Sequence, residues 1–300
     1  MSKNKLPKLI VILGPTATGK TKLAVALARK FNGEIVSADS RQVYRGMDIG
    51  TGKDLKEYGK IKYHLIDVCN PNTEFNVAKY KNLALKEIDS IIKRGKTPFL
   101  VGGTGLYLSA IIDNLHFPAV APDKKTREKL KKLKTEEKIK LLKKLDSAAL
   151  KFVDVKNPRR LDRALEVCLS GQKFSELRKK NEPLFEVLRL GVTFPKKIID
   201  ERIDARVESM IKKGLVVETE KLIKKYGKNA APLQTIGYKE IIDFLKNKPG
   251  QKIGPETIKL IKIHTHQFAK RQMTWFKRDK KIKWIKNEKQ ATGLIKKFIK

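Results

Sequence analysis

Cysteine is scarce. The 300-residue chain holds two, Cys69 and Cys168, far apart and outside any C-x-x-C pair. That excludes a disulfide framework or a cysteine-built zinc site as an organising feature, and it suits a reducing compartment. No apolar run reaches the roughly 20 residues that a membrane-spanning helix needs. The opening Met1-Ser2-Lys3-Asn4-Lys5 leads to the first strand without the apolar core of a signal peptide. A soluble, cytoplasmic protein with no membrane partner is expected. Internal repeats and low-complexity linkers are also missing. Acids are few, 32 against 68 Lys and Arg, for a formal net charge of +36. Such an excess suits a polyanionic partner, although part of the lysine count reads as solvated helix faces. With 40% hydrophobic residues the chain can bury one sizeable core and a subdomain.

What is present begins at the N-terminus. The apolar run Leu9 to Leu13 reads as a buried parallel strand, and Lys22 to Lys30 as an amphipathic helix. Between them, Gly14-Pro15-Thr16-Ala17-Thr18-Gly19-Lys20-Thr21 is G-x-x-x-x-G-K-T in the strand–loop–helix setting of a P-loop. Its glycines let backbone N–H groups turn onto phosphate oxygens, and the helix N-terminus adds its positive dipole end. Lys20 brings a point charge to the terminal phosphates and Thr21 a hydroxyl to a bound Mg²⁺, so a di- or triphosphate ligand is expected.

A second strand, Glu34 to Ala38, ends at Asp39-Ser40, on the sheet edge where ligands of doubly wound folds bind. Asp39 has two functional readings, Mg²⁺ ligand or general base, and a local one, an Asx-type turn or helix cap. Tyr63 to Val68 reads as a short strand, with His64 a packed residue or a base. Asn76 to Arg94 reads as a helix and Thr97 to Val101 as a buried strand. A nucleotide hydrolase commonly carries a Mg²⁺-binding aspartate after such a strand. Here the strand runs into Gly102-Gly103-Thr104, and no N-K-x-D guanine motif occurs. Hydrolysis for work is disfavoured and group transfer from a diphosphate stays open.

From Pro118 to Pro122 the texture changes to basic, helix-rich sequence, with Arg159, Arg160 and Arg163 clustered after Pro158 at a helix start. The predicted fold class is α/β. A P-loop NTPase-like parallel sheet flanked by helices (1–117 and 184–300) carries a helical, basic insertion (118–183). Glu186 to Phe194 reads as a return strand and Lys196 to Tyr226 as one helix, with Arg202 and Arg206 on one face as candidate pyrophosphate clamps. Pro255 to Arg278 reads as a long helix with Ile258, Ile261, Phe268 and Trp275 as its core stripe, then a short strand at 282–285 and a basic helix.

Together these stretches resemble one family, the tRNA dimethylallyltransferases (tRNA isopentenyltransferases). The P-loop, Ser37-Ala38-Asp39-Ser40-Arg41-Gln42-Val43-Tyr44 and Gly46-Met47-Asp48-Ile49-Gly50-Thr51 carry the likeness first. His64-Leu65-Ile66-Asp67, Val101 to Tyr107, Asn157 to Leu161, Gly237-Tyr238 and Lys270-Arg271-Gln272-Met273-Thr274-Trp275 continue it in family order. The resemblance implies transfer of a dimethylallyl group from dimethylallyl diphosphate to N6 of the adenosine 3′ of the tRNA anticodon, releasing pyrophosphate. It implies Asp39 as general base and Thr104 near the bridging oxygen. Arg206 is implied as the pyrophosphate arginine, with Arg202 second to it. Gly14, Pro15, Thr16, Ala17, Thr18, Gly19, Lys20 and Thr21 would hold the diphosphate, with Mg²⁺ on Thr21. Asp39, Ser40, Arg41 and Gln42 would meet the anticodon stem-loop. So would Arg159, Arg160, Leu161, Asp162 and Arg163, and Lys270, Arg271 and Gln272. A monomer is expected. Tyr63 stands where many members have a second histidine, and Gly52-Lys53-Asp54 replaces the commoner Ala-Lys-Pro. Three other functions remain open: prenyl transfer to free adenylate, a small-molecule kinase, and RNA binding without catalysis.

Overall fold

Five of the six positions in each of Lys8–Leu13 (β1) and Thr97–Gly102 (β4) are buried, as befits parallel strands covered on both faces. The computed structural model describes residues 6–117, 120, 123–178 and 181–300. Pro118, Ala119, Ala121 and Pro122, at the expected start of the insertion, lie outside them. The chain divides into two units, Met1–Ile112 with Leu184–Lys300, and Asp113–Pro183.

The first part of the larger unit runs β1, Lys20–Lys30 (α1), Gly33–Ser37 (β2), Tyr63–His64 (β3), Val77–Lys93 (α2), β4 and Gly105–Ile112 (α3). The smaller unit holds Lys124–Lys131 (α4), Thr135–Leu145 (α5) and Pro158–Leu169 (α6). The larger unit resumes with Glu186–Val192 (β5), Lys196–Lys212 (α7), Leu215–Tyr226 (α8), Tyr238–Asn247 (α9) and Pro255–Phe276 (α10). Lys283–Ile285 (β6) and Glu288–Ile299 (α11) complete it. All strands pair in parallel in the order β3-β2-β4-β1-β5-β6.

Strand period sorts the core. Leu9, Val11 and Leu13 face α2 and α3 through Tyr80, Ile88 and Ile111, while Ile10 and Ile12 face α1 and α11 through Leu27 and Ile295. Helices α7 to α10 build a third apolar cluster around Ile203, Leu215, Tyr238 and Ile261. The sheet order sets the loops after β1, β2 and β4 side by side at the C-terminal edge, and that juxtaposition makes the site.

Three expectations need correction. The strand expected from Tyr63 to Val68 stops at His64, because Leu65 and Asp67 take positive φ (64° and 56°). The helix expected from Lys196 to Tyr226 is two, broken at Gly214 in the left-handed region (φ 97°). On α10 the buried residues are Ile261, Ala269, Gln272 and Phe276, whereas Phe268 and Trp275 are 37% and 38% exposed. The expected stripe advanced by sevens and drifted off the face, since an α-helix does not repeat at seven residues.

At the sheet edge Glu34 is buried and takes His64 Nε2 at 2.8 Å, Arg94 at 2.7 Å and Lys96 at 2.9 Å, while His64 Nδ1 meets Glu87 at 2.9 Å. His64 is thus a structural residue. Burial alone would raise the Glu34 carboxyl, but the bonds from Lys96, His64 and Arg94 outweigh it and hold the pKa at about 2. Its folded pKa lies below the unfolded value, so its stabilisation is full above about pH 4.5 and is lost as pH falls toward 2. Glu34→Gln is expected to cost on the order of 3 kcal/mol in urea unfolding at pH 7. The gap from the parent protein should narrow steadily below pH 4.5.

The smaller unit packs Leu130, Leu142, Leu161 and Leu165. Its buried Glu166 accepts from the Asp123 N–H at 2.7 Å and pairs with Arg163 at 2.6 Å and Arg127 at 3.0 Å. Among the described residues no helix is long and apolar enough to cross a membrane.

Candidate active site

The loop leaving β1 is shaped by close approach. A Cβ on Gly14 would lie 2.3 Å from the Val192 carbonyl oxygen, so glycine is required beside β5. Gly19 sits at φ 74° and caps α1 without any side-chain bond, which leaves the first-turn N–H groups of the helix turned to the cleft. The Thr18 hydroxyl and the Lys20 ammonium both donate to the Pro15 carbonyl, at 2.9 and 2.8 Å. The loop is closed on itself and carries its charge inward.

Lys20 is joined by Arg206 from α7. Burial first, and then Arg206, push the Lys20 ammonium down to about 8, while Asp39 opposes the shift. Burial likewise lowers Arg206 from its ordinary value, against the pull of Asp39, Glu57 and Asp54. Among the described residues the Arg206 guanidinium has no hydrogen bond and no ion pair. It rests on Gly52, where a Cβ would meet Nη2 at 1.6 Å. Two cations converge here, and the nearby Asp39, Glu57 and Asp54 act on them without pairing directly with either. Arg202 instead stacks over the Phe194 ring at 4.1 Å.

Asp39 closes the third side. Its Oδ1 accepts from the backbone N–H groups of Arg41 at 2.8 Å and Gln42 at 3.3 Å, an Asx turn. Among the described residues its Oδ2 has no bond partner, so the local turn leaves a carboxylate oxygen available. The loop after β4 meets this turn: Thr104 Oγ1 accepts from the Ser40 N–H at 3.0 Å and donates to Ser40 Oγ at 3.4 Å. Gly102 allows the approach, since a Cβ would stand 2.2 Å from the Ala38 carbonyl oxygen. Gln42 donates weakly to the Thr51 and Gly52 carbonyls at 3.4 Å.

Several contributors escape a motif search. Glu218 of α8 accepts three successive backbone N–H groups, Asp48, Ile49 and Gly50, at 3.1, 2.8 and 3.1 Å, and takes the Tyr238 hydroxyl at 2.6 Å. Lys53, with a fully buried side chain, holds the same loop through Tyr44 O, Asp48 and Asp67. Together they fix the segment on which Arg206 rests. Tyr58 lies buried beside Thr21 and Asp39, and its hydroxyl is pushed well above its ordinary range, chiefly by burial. Glu218 and Tyr58 carry no spacing signal of their own, whereas Tyr238 and Lys53 lie in stretches compared with the family pattern.

The positions expected on the RNA side divide. Arg159 and Arg160 are exposed, Arg160 within 3.7 Å of Asp154. Leu161 is buried in the core of the smaller unit. Asp162 pairs with Lys138 at 2.7 Å, and Arg163 holds Glu166 at 2.6 Å and the Val120 carbonyl at 2.8 Å. Lys270 and Arg271 are exposed, with Arg271 over the Phe268 ring at 6.0 Å. Gln272 is buried. Ser40, Arg41 and Gln42 are half-buried.

No group of three or more His, Cys, Asp or Glu able to hold a metal occurs among the described residues. Thr21 stands in the first turn of α1 and Asp39 lies near enough to Lys20 to raise its pKa, so two protein oxygens are at hand. That set suits Mg²⁺, which binds through one or two protein oxygens and completes its shell with phosphates and water.

Residues 42–279 match the family model described as IPP transferase. The tRNA dimethylallyltransferase of Acetivibrio thermocellus is 41% identical over 293 residues, covering 94% of this chain and 93% of its own. That of Caldicellulosiruptor saccharolyticus is 44% identical over 285 residues, covering 91% and 90%. Among solved structures, the tRNA isopentenylpyrophosphate transferase of Bacillus halodurans is 35% identical with TM-score 0.72, covering 97% of this chain and 95% of that one. A eukaryotic dimethylallyltransferase captured acting on tRNA is 30% identical with TM-score 0.78, covering 90% and 70%.

Proposed function

The chain belongs to the IPP transferase family, and from that premise we propose that it transfers a dimethylallyl group from dimethylallyl diphosphate to N6 of the adenosine 3′ of the anticodon in tRNA. The observation that carries the reading is the unpartnered Arg206 beside a Lys20 whose ammonium is pushed down to about 8, with Asp39 near enough to act on both charges and its Oδ2 unbonded. A diphosphate supplies the missing anion.

In the proposed reaction the first-turn amides of α1, Lys20 and Arg206 bind the diphosphate. Charge builds on the bridging oxygen as its bond to carbon breaks, and these preorganised groups stabilise it. The N6 amine forms the new bond to that carbon and releases a proton, which Asp39 Oδ2 accepts. Thr104, tied to Ser40, holds the turn that aims Asp39. Mg²⁺ held by Thr21 and the phosphates would add charge neutralisation to the departing pyrophosphate. The adenine reaches the cleft by leaving its stack. Arg41 and Gln42, and the exposed Arg159, Arg160, Lys270 and Arg271, are the proposed tRNA contacts. The protein acts as a monomer on the anticodon stem-loop.

A competition assay with radiolabelled dimethylallyl diphosphate tests the acceptor. Label should enter tRNA and not AMP when both are present; preferential labelling of AMP would replace tRNA by free adenylate. A pH series tests the anion site. An anion between Lys20 and Arg206 raises the Lys20 pKa, so binding takes up a proton once the free protein has lost it. Pyrophosphate affinity, measured by calorimetry with Mg²⁺, is therefore expected to fall as pH rises above about 8, by up to about tenfold per unit. Lys20→Arg should flatten that dependence, because a guanidinium stays charged throughout. Equal pH dependence in both proteins would place the proton elsewhere.

A further inference from the structure

Buried polar side chains inside an apolar stripe ask for an explanation, and α10 carries one. Gln272 is 8% exposed, between Ala269 and Phe276 on the buried face. Its Oε1 accepts from the Thr16 backbone N–H at 2.9 Å, and its Nε2 donates to the Gly103 carbonyl at 2.9 Å. The partners fix the amide's orientation, since a backbone N–H only donates and a carbonyl only accepts. Gly103 is cut to fit, because a Cβ there would lie 2.5 Å from Nε2. One turn further on, the Trp275 indole covers Gly105, where a Cβ would stand 2.4 Å from Nε1. The phosphate loop and the loop carrying Thr104 are thus joined by one amide group.

From this geometry we infer that Gln272 is a positioning residue: it sets the spacing between the diphosphate cradle and Thr104, and it does not read RNA. The inference rests on the proposed reaction for what the two loops do, and on the hydrogen bonds for what Gln272 does. Only a primary amide of this length suits the place. It must accept at one end and donate at the other, across the distance between two loops. Glutamate accepts at both ends when ionised, and methionine keeps the volume with neither function. The neighbouring Lys270 and Arg271 point outward, so one short stretch serves two tasks on opposite faces of α10.

The test compares Gln272→Met, Gln272→Glu and the double variant Lys270→Ala/Arg271→Ala in the full-length protein. Each is measured for pyrophosphate affinity with Mg²⁺, anticodon stem-loop affinity, kcat, and KM for dimethylallyl diphosphate. Gln272→Met is expected to weaken pyrophosphate binding and lower kcat by about ten- to a hundredfold, the scale of a displaced catalytic group. Its stem-loop affinity should match the parent protein. Lys270→Ala/Arg271→Ala should weaken stem-loop affinity and leave pyrophosphate affinity at the parent value. In Gln272→Glu one oxygen still accepts from Thr16, while the other faces the Gly103 carbonyl and bonds to it only when protonated. Its kcat relative to the parent should therefore climb as pH falls from about 8 to about 6, and the Gln272→Met ratio should stay flat.

Gln272→Met that weakens stem-loop binding and spares pyrophosphate binding and kcat would overturn the inference, as would variants equal to the parent in every readout. If Gln272→Met fails to fold, the pH trend of Gln272→Glu decides, and a flat trend overturns the inference. A parent protein that binds pyrophosphate without transferring a prenyl group would refute the proposed reaction. Pyrophosphate affinity in the variants would still report on Gln272.

Discussion

Replacing Asp39 by alanine or asparagine is expected to lower kcat for prenyl transfer by about a hundred- to ten-thousandfold, the range for a lost general base. Stem-loop affinity should be retained. The two substitutions separate the tasks that the carboxylate performs. Oδ1 is committed to the Arg41 and Gln42 N–H groups, and an asparagine carbonyl oxygen can keep both bonds. Oδ2 is the oxygen without a partner, and an amide there cannot take the proton from N6. Asp39→Asn should therefore keep the turn and bind pyrophosphate at least as tightly as the parent, since it removes a negative charge near Lys20 and Arg206, while losing turnover. Asp39→Ala should add a loss of stability from the broken turn. If Asp39→Asn turns over like the parent protein, Asp39 is only a turn residue.

Arg206→Ala carries the second large effect, and its sign on stability is the informative part. An arginine half-buried beside a lysine, without an ion pair, is unfavourable until an anion arrives. The free variant should melt no lower than the parent, because the burial penalty of the unpaired guanidinium outweighs its attraction to Asp39, Glu57 and Asp54. It should also lose most of the melting-temperature rise that pyrophosphate gives the parent. Transfer should fall by about a hundred- to a thousandfold in kcat/KM, the scale of a removed transition-state donor. Arg206→Lys is expected to recover little, since an ammonium cannot meet two phosphate oxygens in the guanidinium's planar geometry. A variant that melts well below the parent and still responds fully to pyrophosphate would make Arg206 a structural residue.

Most of the scaffold was readable from the residues because β1 and β4 are covered on both faces and appear as apolar runs. The phosphate loop was readable because its glycines answer local demands: Gly14 to the Val192 carbonyl, Gly19 to a left-handed φ. Where tertiary contacts decide, the sequence was silent. Arg202 and Arg206 share a helical face, and only the packing of α7 directs one to Lys20 and the other over Phe194. The buried face of α10 includes a glutamine, which an apolar count discards, so Phe268 and Trp275 were read into the core in its place. Glu218 acts on backbone groups of a distant loop, and nothing in its own neighbourhood marks it. Leu161, Asp162 and Arg163 belong to a stretch that resembles an RNA contact, yet their side chains serve the fold of the smaller unit.

The most direct measurement incubates the protein with dimethylallyl diphosphate, Mg²⁺ and unmodified tRNA, then digests the RNA and analyses its nucleosides by mass spectrometry. The account predicts one new nucleoside, an adenosine bearing a single dimethylallyl group on N6 and mapping to the residue 3′ of the anticodon. Release of an equal amount of pyrophosphate should accompany it. Unchanged adenosine, with Asp39→Asn run in parallel as the inactive reference and giving the same result, would contradict it.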